Sequence, residues 1–213
     1  MKPGAKTLTI TSLVILLTLI ALIIWNKMTS NVEHPKYKTL SSFKNIEIRQ
    51  YKPAIIAEVE VSGTRKEAIN KGFKLLANYI FGNNTTQSSI SMTAPVQQAD
   101  STKISMTAPV TQIQNEKSWL VRFFMPSEYT IQTLPKPNNK LIKIKQFPEK
   151  KYAVIRFSGF STPSKLESNT IKLKNFIAKN NLETSSEPIY SFYNPPWTLP
   201  FLRRNEIMIK IQN

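Results

Sequence analysis

The chain has 213 residues, and its 29 lysines and arginines against 13 acidic residues give a formal net charge of +16 at pH 7. It contains no cysteine, one histidine (His34) and one aspartate (Asp100). These counts exclude disulfides, thiolate metal sites and cysteine nucleophiles, and they leave almost no material for a catalytic triad or a His-rich metal centre. We therefore expect a binding protein rather than an enzyme.

The N-terminal residues form an apolar run. Residues 8–25 are almost all apolar, which is just long enough to cross a bilayer core. Basic residues stand on both sides of the run, and no small residues follow that would mark a cleavage site. Residues 1–27 are therefore predicted to be an uncleaved signal-anchor, a single transmembrane helix.

The anchor prediction sets the remaining domain limits. Residues 28–42 read as a polar linker, in which His34 is interpreted as a tether residue rather than a ligand, and residues 43–213 as the folded domain. Basic residues before the apolar run predict a single-pass membrane protein whose C-terminal domain is extracytoplasmic, that is, periplasmic.

The net positive charge indicates which classes of partner the chain can bind. Lys2, Lys6 and Lys27 account for three charges, which leaves +13 for residues 28–213. Such a charge favours anionic lipid head groups or a ligand with carboxylates. The lysines are scattered, and no nucleic-acid module is recognised, so nucleic acid is not expected as a partner and a solvated basic surface is the plainer interpretation.

A heptapeptide, Ile-Ser-Met-Thr-Ala-Pro-Val, occurs at residues 90–96 and again at residues 104–110. The proline of each copy lacks a backbone N–H, which predicts short, extended segments at a sheet edge, joined by a turn over residues 97–103. Met92 and Met106 either fill the core or face a flat apolar ligand.

The rest of the domain sequence is repeated. Residues 46–63 align without a gap on residues 142–159 and are identical at six positions. Alternating apolar and charged residues, such as those of residues 57–61, predict strands with one buried face. Each half therefore begins with two predicted strands joined by a turn.

A helix is predicted next in each half. Thr64 and Glu67 have the spacing of a capping box, and Thr162 can cap the second helix with Pro163 in its first turn. The apolar residues that share one face are Ile69, Phe73, Leu76 and Ile80 in the first helix and Leu166, Leu173, Phe176 and Ile177 in the second.

Later strands are predicted at residues 119–125, 189–196 and 206–211. Neither half can cover its own sheet alone. The predicted fold class is therefore α+β: a duplicated (ββαββ)2 unit forming a pseudo-twofold antiparallel twisted β-barrel flanked by two helices, preceded by one N-terminal transmembrane helix.

Several ordered motifs carry a family resemblance over residues 42–212. They are the two Met-Thr-Ala-Pro-Val segments, Tyr193-Asn-Pro-Pro, Arg203-Arg-Asn-Glu, Phe124-Met-Pro-Ser and Leu134-Pro-Lys-Pro. In these motifs the chain resembles the SOUL haem-binding family. The resemblance implies a twisted antiparallel barrel with two helices and noncovalent tetrapyrrole binding in a shallow apolar cleft beside the first helix.

The resemblance also implies a ligand site with haem as a possible cofactor, whose iron ligand is a methionine, a tyrosine or absent. Apolar walls and cations for the propionates are expected from Arg65, Lys66, Ile69, Phe73, Lys74, Leu76, Met92 and Met106. Core packing of the apolar residues and a solvated helix face for the basic ones are the alternatives. No catalytic residue and no metal ligand is assigned.

Two functions fit the sequence. One is a membrane-anchored protein that binds haem or another tetrapyrrole noncovalently, as a carrier, buffer or sensor. The other is an anchored small-molecule-binding or interaction domain of the same fold that binds another flat apolar anion or anionic lipid. In either case, Glu206 is expected to pair with Arg203 or Arg204 and so pin the loop before the last strand.

Overall fold

The computed structural model describes residues 10, 12–14, 32–86, 89–100, 118–184 and 186–212. The chain divides into two units, Met1–Val32 and Glu33–Asn213. In the first unit, residues 10 and 12–14 are helical and exposed. The remainder of this section concerns the second unit.

The single-pass membrane localisation is corrected by the structure. Within the described ranges, no helix has both the length and the apolar character needed to span a bilayer. Apart from residues 10 and 12–14, the predicted anchor lies outside the described residues. The prediction rested on the length of the apolar run and on the basic residues beside it, and no helix in the described ranges supports it.

The second unit is an α+β domain. Its strands are β1 (Tyr37–Phe43), β2 (Ile46–Tyr51), β3 (Ala54–Ser62), β4 (Val96–Asp100), β5 (Ser118–Phe124), β6 (Lys143–Phe147), β7 (Lys150–Phe157), β8 (Ile189–Phe192) and β9 (Asn205–Lys210). Its α-helices are α1 (Arg65–Ile80) and α2 (Pro163–Lys179), and a 3-10 helix covers Pro200–Leu202.

All nine strands join one antiparallel sheet in the order β1-β2-β7-β9-β8-β4-β5-β3-β6. The sheet curls into a half-barrel whose end strands are β1 and β6. The predicted twisted antiparallel sheet with two helices is thus confirmed, as a half-barrel rather than a complete barrel.

The core has three parts. One apolar cluster joins α1 to β3 and β5 and includes Val59, Leu76 and Val121. A second joins α2 to β7 and β9. A third contains Phe147 and Met208 and connects strands from both halves of the chain. In β7 and β9, residues on opposite sides of the strand therefore contribute to the second and the third cluster, as the two-residue period of a strand requires.

Helix α1 lies close to the sheet because of a glycine. A Cβ atom on Gly72 would lie 2.5 Å from Cγ2 of Val121, so a larger residue would push the helix away. The predicted capping box of Thr64 and Glu67 is confirmed, and Thr162 caps α2 as expected. Local signals in the sequence thus fix where both helices begin.

Two strands differ from the predictions. Strand β1 lies in the predicted linker, where its exposed edge position produces no alternation of apolar and polar residues. Strand β4 occupies most of the predicted turn at residues 97–103 and is central, between β5 and β8. Pro95 precedes β4, where a missing N–H does not interrupt the ladder. The second heptapeptide, with Met106, lies outside the described residues.

Candidate functional site

The residues of α1 that were predicted to bind a ligand do not share one face. Leu76 has no exposed surface and packs on the sheet, with Ile69 partly buried against the same apolar cluster. Phe73 is partly exposed, and its ring meets Phe123 edge-on at 5.4 Å between centroids. Lys66 and Lys74 are exposed. Leu76 would reach a surface ligand only if α1 moved from the sheet.

Arg65 begins α1 and is half-buried. Its Nη2 donates a long hydrogen bond of 3.4 Å to the carbonyl of Ser161, and none of the ion pairs between described residues includes it. Burial lowers the pKa of the Arg65 guanidinium, an effect that the nearby Tyr190 phenol opposes. A half-buried cation without an acidic partner is suited to bind an anion.

Arg65 lines a cavity of about 340 Å³, which we call the interhelical cavity. Its lining comes from the start of α1, from α2 and from β8: Arg65, Pro163, Leu166, Glu167, Thr170, Ile171, Lys174 and Tyr190. Its volume is at the lower end for ligand sites. The walls combine the apolar Ile171 and the Tyr190 ring with two cations and one carboxylate.

Gln98 lies beside this cavity in the fold. It pairs with Tyr190 across β4 and β8, so both side chains are on the helix side of the sheet. Its Nε2 donates to the carbonyl of Arg65 at 2.9 Å, while its buried Oε1 has no partner among the described residues. An acceptor of this kind can be satisfied by a water or by a ligand N–H or O–H group.

The remaining predicted residues are elsewhere. Met92 is partly buried against the apolar cluster of α1, and Met106 is outside the described residues. His34 does not line the interhelical cavity. Its Nδ1 lies 3.1 Å from the carbonyl oxygen of Ala94, and its ring meets Tyr193 edge-on. His34 instead lines a second cavity of about 320 Å³, near the end of β5.

The residues of the interhelical cavity fit some requirements of haem. Arg65 and Lys174 can meet propionates, and Ile171 and Tyr190 can contact the ring. Among the described residues that line the cavity, Tyr190 is the one whose side chain has an atom that commonly binds haem iron, since none of them is a histidine or a methionine. The donor set therefore suits a tetrapyrrole held by its faces and its acidic side chains.

Of the seven predicted residues that the structure describes, only Arg65 lines this cavity. Tyr190, Ile171 and Lys174 were not predicted because the resemblance directs attention to the first helix. Tyr190 does fall in a predicted strand. The sequence repeat could have indicated Ile171 and Lys174. It predicts that the second helix is equivalent to the first, so residues of both helices were candidates for the site.

The Arg203-Arg-Asn-Glu motif has the expected structural role. Arg204 Nε donates to Oε1 of the buried Glu206 at 2.9 Å, which confirms the predicted pair. Arg49 Nη1 donates to Oε2 at 2.8 Å, and the Tyr193 hydroxyl donates to the same oxygen at 2.8 Å. Glu206 is thus fully engaged in a network that fixes β9 to β2 and to the preceding loop.

Solved structures share this fold. The C-terminal domain of EcmrR aligns with a TM-score of 0.59 and 11% identity, over 83% of this chain and 98% of that one. An uncharacterized conserved protein from Listeria innocua aligns with a TM-score of 0.59 and 11% identity, over 81% of this chain and 94% of that one. At such identities, the likeness concerns the fold alone.

Curated relatives are similar in sequence. Heme-binding protein 2 of Homo sapiens is 28% identical over 169 residues, which are 78% of each chain. Heme-binding protein 2 of Mus musculus is 28% identical over 171 residues, again 78% of each chain. The family model described as SOUL heme-binding protein matches residues 32–210, most of the chain. The chain therefore belongs to the SOUL heme-binding protein family.

Proposed function

We propose that the chain binds haem or another tetrapyrrole noncovalently, without catalysing a reaction. The observation that carries the proposal is the family match over residues 32–210, together with relatives named Heme-binding protein 2. The proposal includes no membrane anchor. Binding rather than catalysis also agrees with the composition, which has one histidine and one aspartate.

The proposed site is the surface along α1 and its interhelical cavity. Arg65, Lys66 and Lys74 are proposed to bind the acidic side chains of the ligand, and Ile69, Phe73 and Met92 to contact the ring. Phe73 is two turns from Arg65, about 12 Å along the helix axis. A ligand with a wide flat ring can span that distance, which a small apolar acid cannot.

A hemin titration of the full chain tests the proposal. We expect saturable binding, seen as a shift of the Soret absorption in both the ferric and the ferrous state. Zinc protoporphyrin should bind with similar affinity, because the proposed contacts are made by faces and propionates. Absence of saturable binding, or affinity no better than that of an unrelated basic protein, would contradict the proposal.

Matched variants locate the site. Arg65→Gln should weaken hemin binding about two- to fivefold or more, because a half-buried cation is lost. Lys38→Gln is the control, since it removes the same charge from the exposed strand β1. Equal effects of the two substitutions would mean that hemin follows net charge rather than the cavity.

A second candidate is another flat apolar anion in the same place. The unsatisfied Oε1 of Gln98 favours it, because a hydroxylated aromatic acid carries an O–H donor at its ring edge that haem lacks. Hydroxynaphthoic acid is the probe, with naphthoic acid as its matched control. If the hydroxylated acid binds at least tenfold more tightly than naphthoic acid and more tightly than hemin, the second candidate is preferred.

We also infer that the domain arose by duplication. Exchange of β2–β5 with β6–β9 leaves the order of these eight strands in the sheet unchanged. Thr64 and Thr162 cap equivalent helices, and each follows a turn glycine with positive φ, Gly63 at 118° and Gly159 at 93°. Superposition of the two halves should bring these caps together, and a mismatch of the helices would contradict the inference.

A further inference from the structure

Residues 33–36, just before β1, form a short segment that we call the strap. The backbone N–H of Ala94 donates to the carbonyl of Glu33 at 3.0 Å, and Nδ1 of His34 lies 3.1 Å from the carbonyl oxygen of Ala94. The Glu33 carboxylate accepts from the backbone N–H of Ser127, with both oxygens at 3.2 Å. This part of the predicted linker is therefore fixed to two distant segments of the domain.

The strap forms one wall of the second cavity, of about 320 Å³, which we call the strap cavity. The other walls come from residues 52–55, from Thr93, from residues 124–129 and from Gln146 in β6. None of the described residues that line it also lines the interhelical cavity. The two cavities are separate sites.

Two lysines of the strap cavity stand opposite each other. Lys36 immediately precedes β1 and Lys52 immediately follows β2, and the N–H of Lys52 donates to the carbonyl of Lys36 at 2.9 Å. This bond continues the antiparallel register in which Tyr37 faces Tyr51. Side chains directly opposite in such a ladder have Cβ atoms about 5 Å apart and lie on the same side of it.

A pair of opposite cations is exceptional in this fold. Among the strand residues that the structure describes, no register pair consists of two cations. Arg122 and Lys143, for example, both face Glu58. The ion pairs between described residues include neither Lys36 nor Lys52. Like charges directly opposite destabilise a strand pair, so an anion between these lysines would remove a repulsion.

The rest of the strap cavity has little negative charge and much aliphatic surface. Glu33 is the one carboxylate in its described lining, and it already accepts from Ser127. The backbone N–H of Met125 donates to the carbonyl of Ile55 at 2.8 Å, which places these two lining residues side by side, and Pro126 follows. The cavity thus combines a pair of cations with an apolar wall.

We propose that the strap cavity binds a small aliphatic carboxylate, a ligand with one acidic group and a short hydrocarbon chain. The carboxylate lies between Lys36 and Lys52, and the chain lies on Ile55, Met125 and Pro126. A carboxylate has two oxygens, so it can accept a charge-assisted bond from each ammonium group. The volume is at the lower end for ligand sites, which favours a short chain. The proposal does not depend on tetrapyrrole binding beside α1.

The probe is octanoate, and the readout is isothermal titration calorimetry with the full chain at low salt. Lys36→Gln and Lys52→Gln should each weaken octanoate binding about three- to fivefold, because each removes one partner of the carboxylate. 1-Octanol has the same chain length and no charge, and it should bind at least tenfold more weakly. Acetate at the same concentration should not displace octanoate, because it lacks the chain.

The melting temperature separates ligand binding from a structural role of the lysines. Without octanoate, Lys36→Gln and Lys52→Gln should leave the melting temperature unchanged or raise it, since each relieves a repulsion. A lysine that supports the fold would lower the melting temperature when it is replaced. That result would overturn the proposal.

Lys38→Gln is the matched control, because Lys38 is an exposed lysine two residues beyond Lys36 that faces the neutral Gln50. It should leave the affinity for octanoate unchanged. Arg65→Gln should weaken hemin and not octanoate, and Lys36→Gln should do the reverse, so failure at one site is distinguished from failure at the other. Equal effects of Lys36→Gln and Lys38→Gln, or equal affinities for octanoate and 1-octanol, would overturn the proposal.

Discussion

Two buried glutamates, Glu206 in β9 and Glu58 in β3, have partners of very different exposure. Glu206 pairs with the buried Arg49 and the mostly buried Arg204. Glu58 pairs with Arg122, also mostly buried, and with Lys145, which is 51% exposed. One network is enclosed by protein and the other opens to water. Burial of the carboxylate alone does not decide how much its ion pairs contribute to the free energy of unfolding. Water weakens an ion pair only where one of the partners is exposed.

The enclosed network also contains more contacts. Tyr193 donates to Glu206, and Arg49 Nη1 donates to the hydroxyl of Tyr51 at 3.2 Å. Arg204 lies over the Tyr193 ring, with its guanidinium carbon 3.9 Å from the centroid. Loss of Glu206 would leave the buried Arg49 with one ion-pair partner among the described residues, the partly exposed Glu47. The Glu58 network has a solvated partner that can adjust.

The largest expected effect is therefore that of Glu206→Gln. We expect the free energy of unfolding to fall by about 3 kcal/mol, the lower end of the cost of breaking a buried ion pair, because Arg49 keeps its pair with the partly exposed Glu47. Urea denaturation of the full chain measures it, with Glu187→Gln, an exposed substitution, as the control. A loss below about 1 kcal/mol would show that Glu47 alone is a sufficient counter-charge for Arg49, and that the Glu206 network is no more important for stability than the Glu58 network.

Low pH should weaken the network around Glu206 and so lower the stability of the fold. Burial raises the pKa of Glu206, but the hydrogen bond and charge of Arg49, together with the charge of Arg204, outweigh burial and hold the pKa below its usual value. A folded-state pKa below the unfolded one, about 4.3, gives stability that is complete above the unfolded value and is lost as pH falls through the folded value. Thermal melting from about pH 7 to pH 3 should show this loss, with a flatter profile for Glu206→Gln. An unchanged slope in the variant would exclude Glu206 as the source.

Glu58→Gln should have a smaller effect. Burial raises the pKa of Glu58, and the charge of Arg122 with the bond from Lys145 lowers it to below its usual value. The substitution removes these charge-assisted contacts, but Lys145 can be solvated. We expect the free energy of unfolding to fall by about 1–2 kcal/mol in urea. A loss equal to that of Glu206→Gln would mean that exposure of the partner is unimportant.

Tyr193→Phe isolates one neutral donor of the enclosed network. Burial and the nearby Tyr51 and Glu206 raise the pKa of Tyr193 well above 10, so its hydroxyl remains a donor. Its removal should lower the free energy of unfolding by about 1.5 kcal/mol, the lower end for a hydrogen bond to a charged group. Tyr129→Phe on an outer loop is the matched control for urea denaturation. A loss above about 3 kcal/mol would mean that the hydroxyl organises the whole network.

The sequence predicted those parts of the fold that depend on neighbours in the chain. Thr64 with Glu67, and Thr162 with Pro163, marked the helix starts because caps act within four residues. The pair of Arg204 and Glu206 was predicted for the same reason. Arg49 was not, since it is 157 positions from Glu206 and only the strand order brings them together.

The residues of the candidate site also divide into those that the sequence indicates and those that only the strand order brings together. Arg65 follows from the family resemblance and from the first helix, whereas Tyr190 reaches the cavity only because β8 lies beside β4 in the sheet. Most of strand β4 was predicted to be a turn because residues 97–103 form a polar span between the two heptapeptides, and this span includes Gln97 and Gln98. Both are completely buried, which a sequence pattern of apolar residues cannot reveal.

The smallest expected effect is that of Lys145→Gln, and it tests the comparison most directly. Its Nζ lies 2.6 Å from Oε1 of Glu58, a distance that by itself suggests a strong ion pair. Because its side chain is half exposed, water offsets most of the attraction, and we expect a loss of about 0.5 kcal/mol or less. A double-mutant cycle with Glu58→Gln measures the coupling between the two side chains directly, at low and at high salt. Coupling of about 3 kcal/mol that persists in salt would show that the open network behaves like the enclosed one, and that distance rather than exposure decides the strength of both.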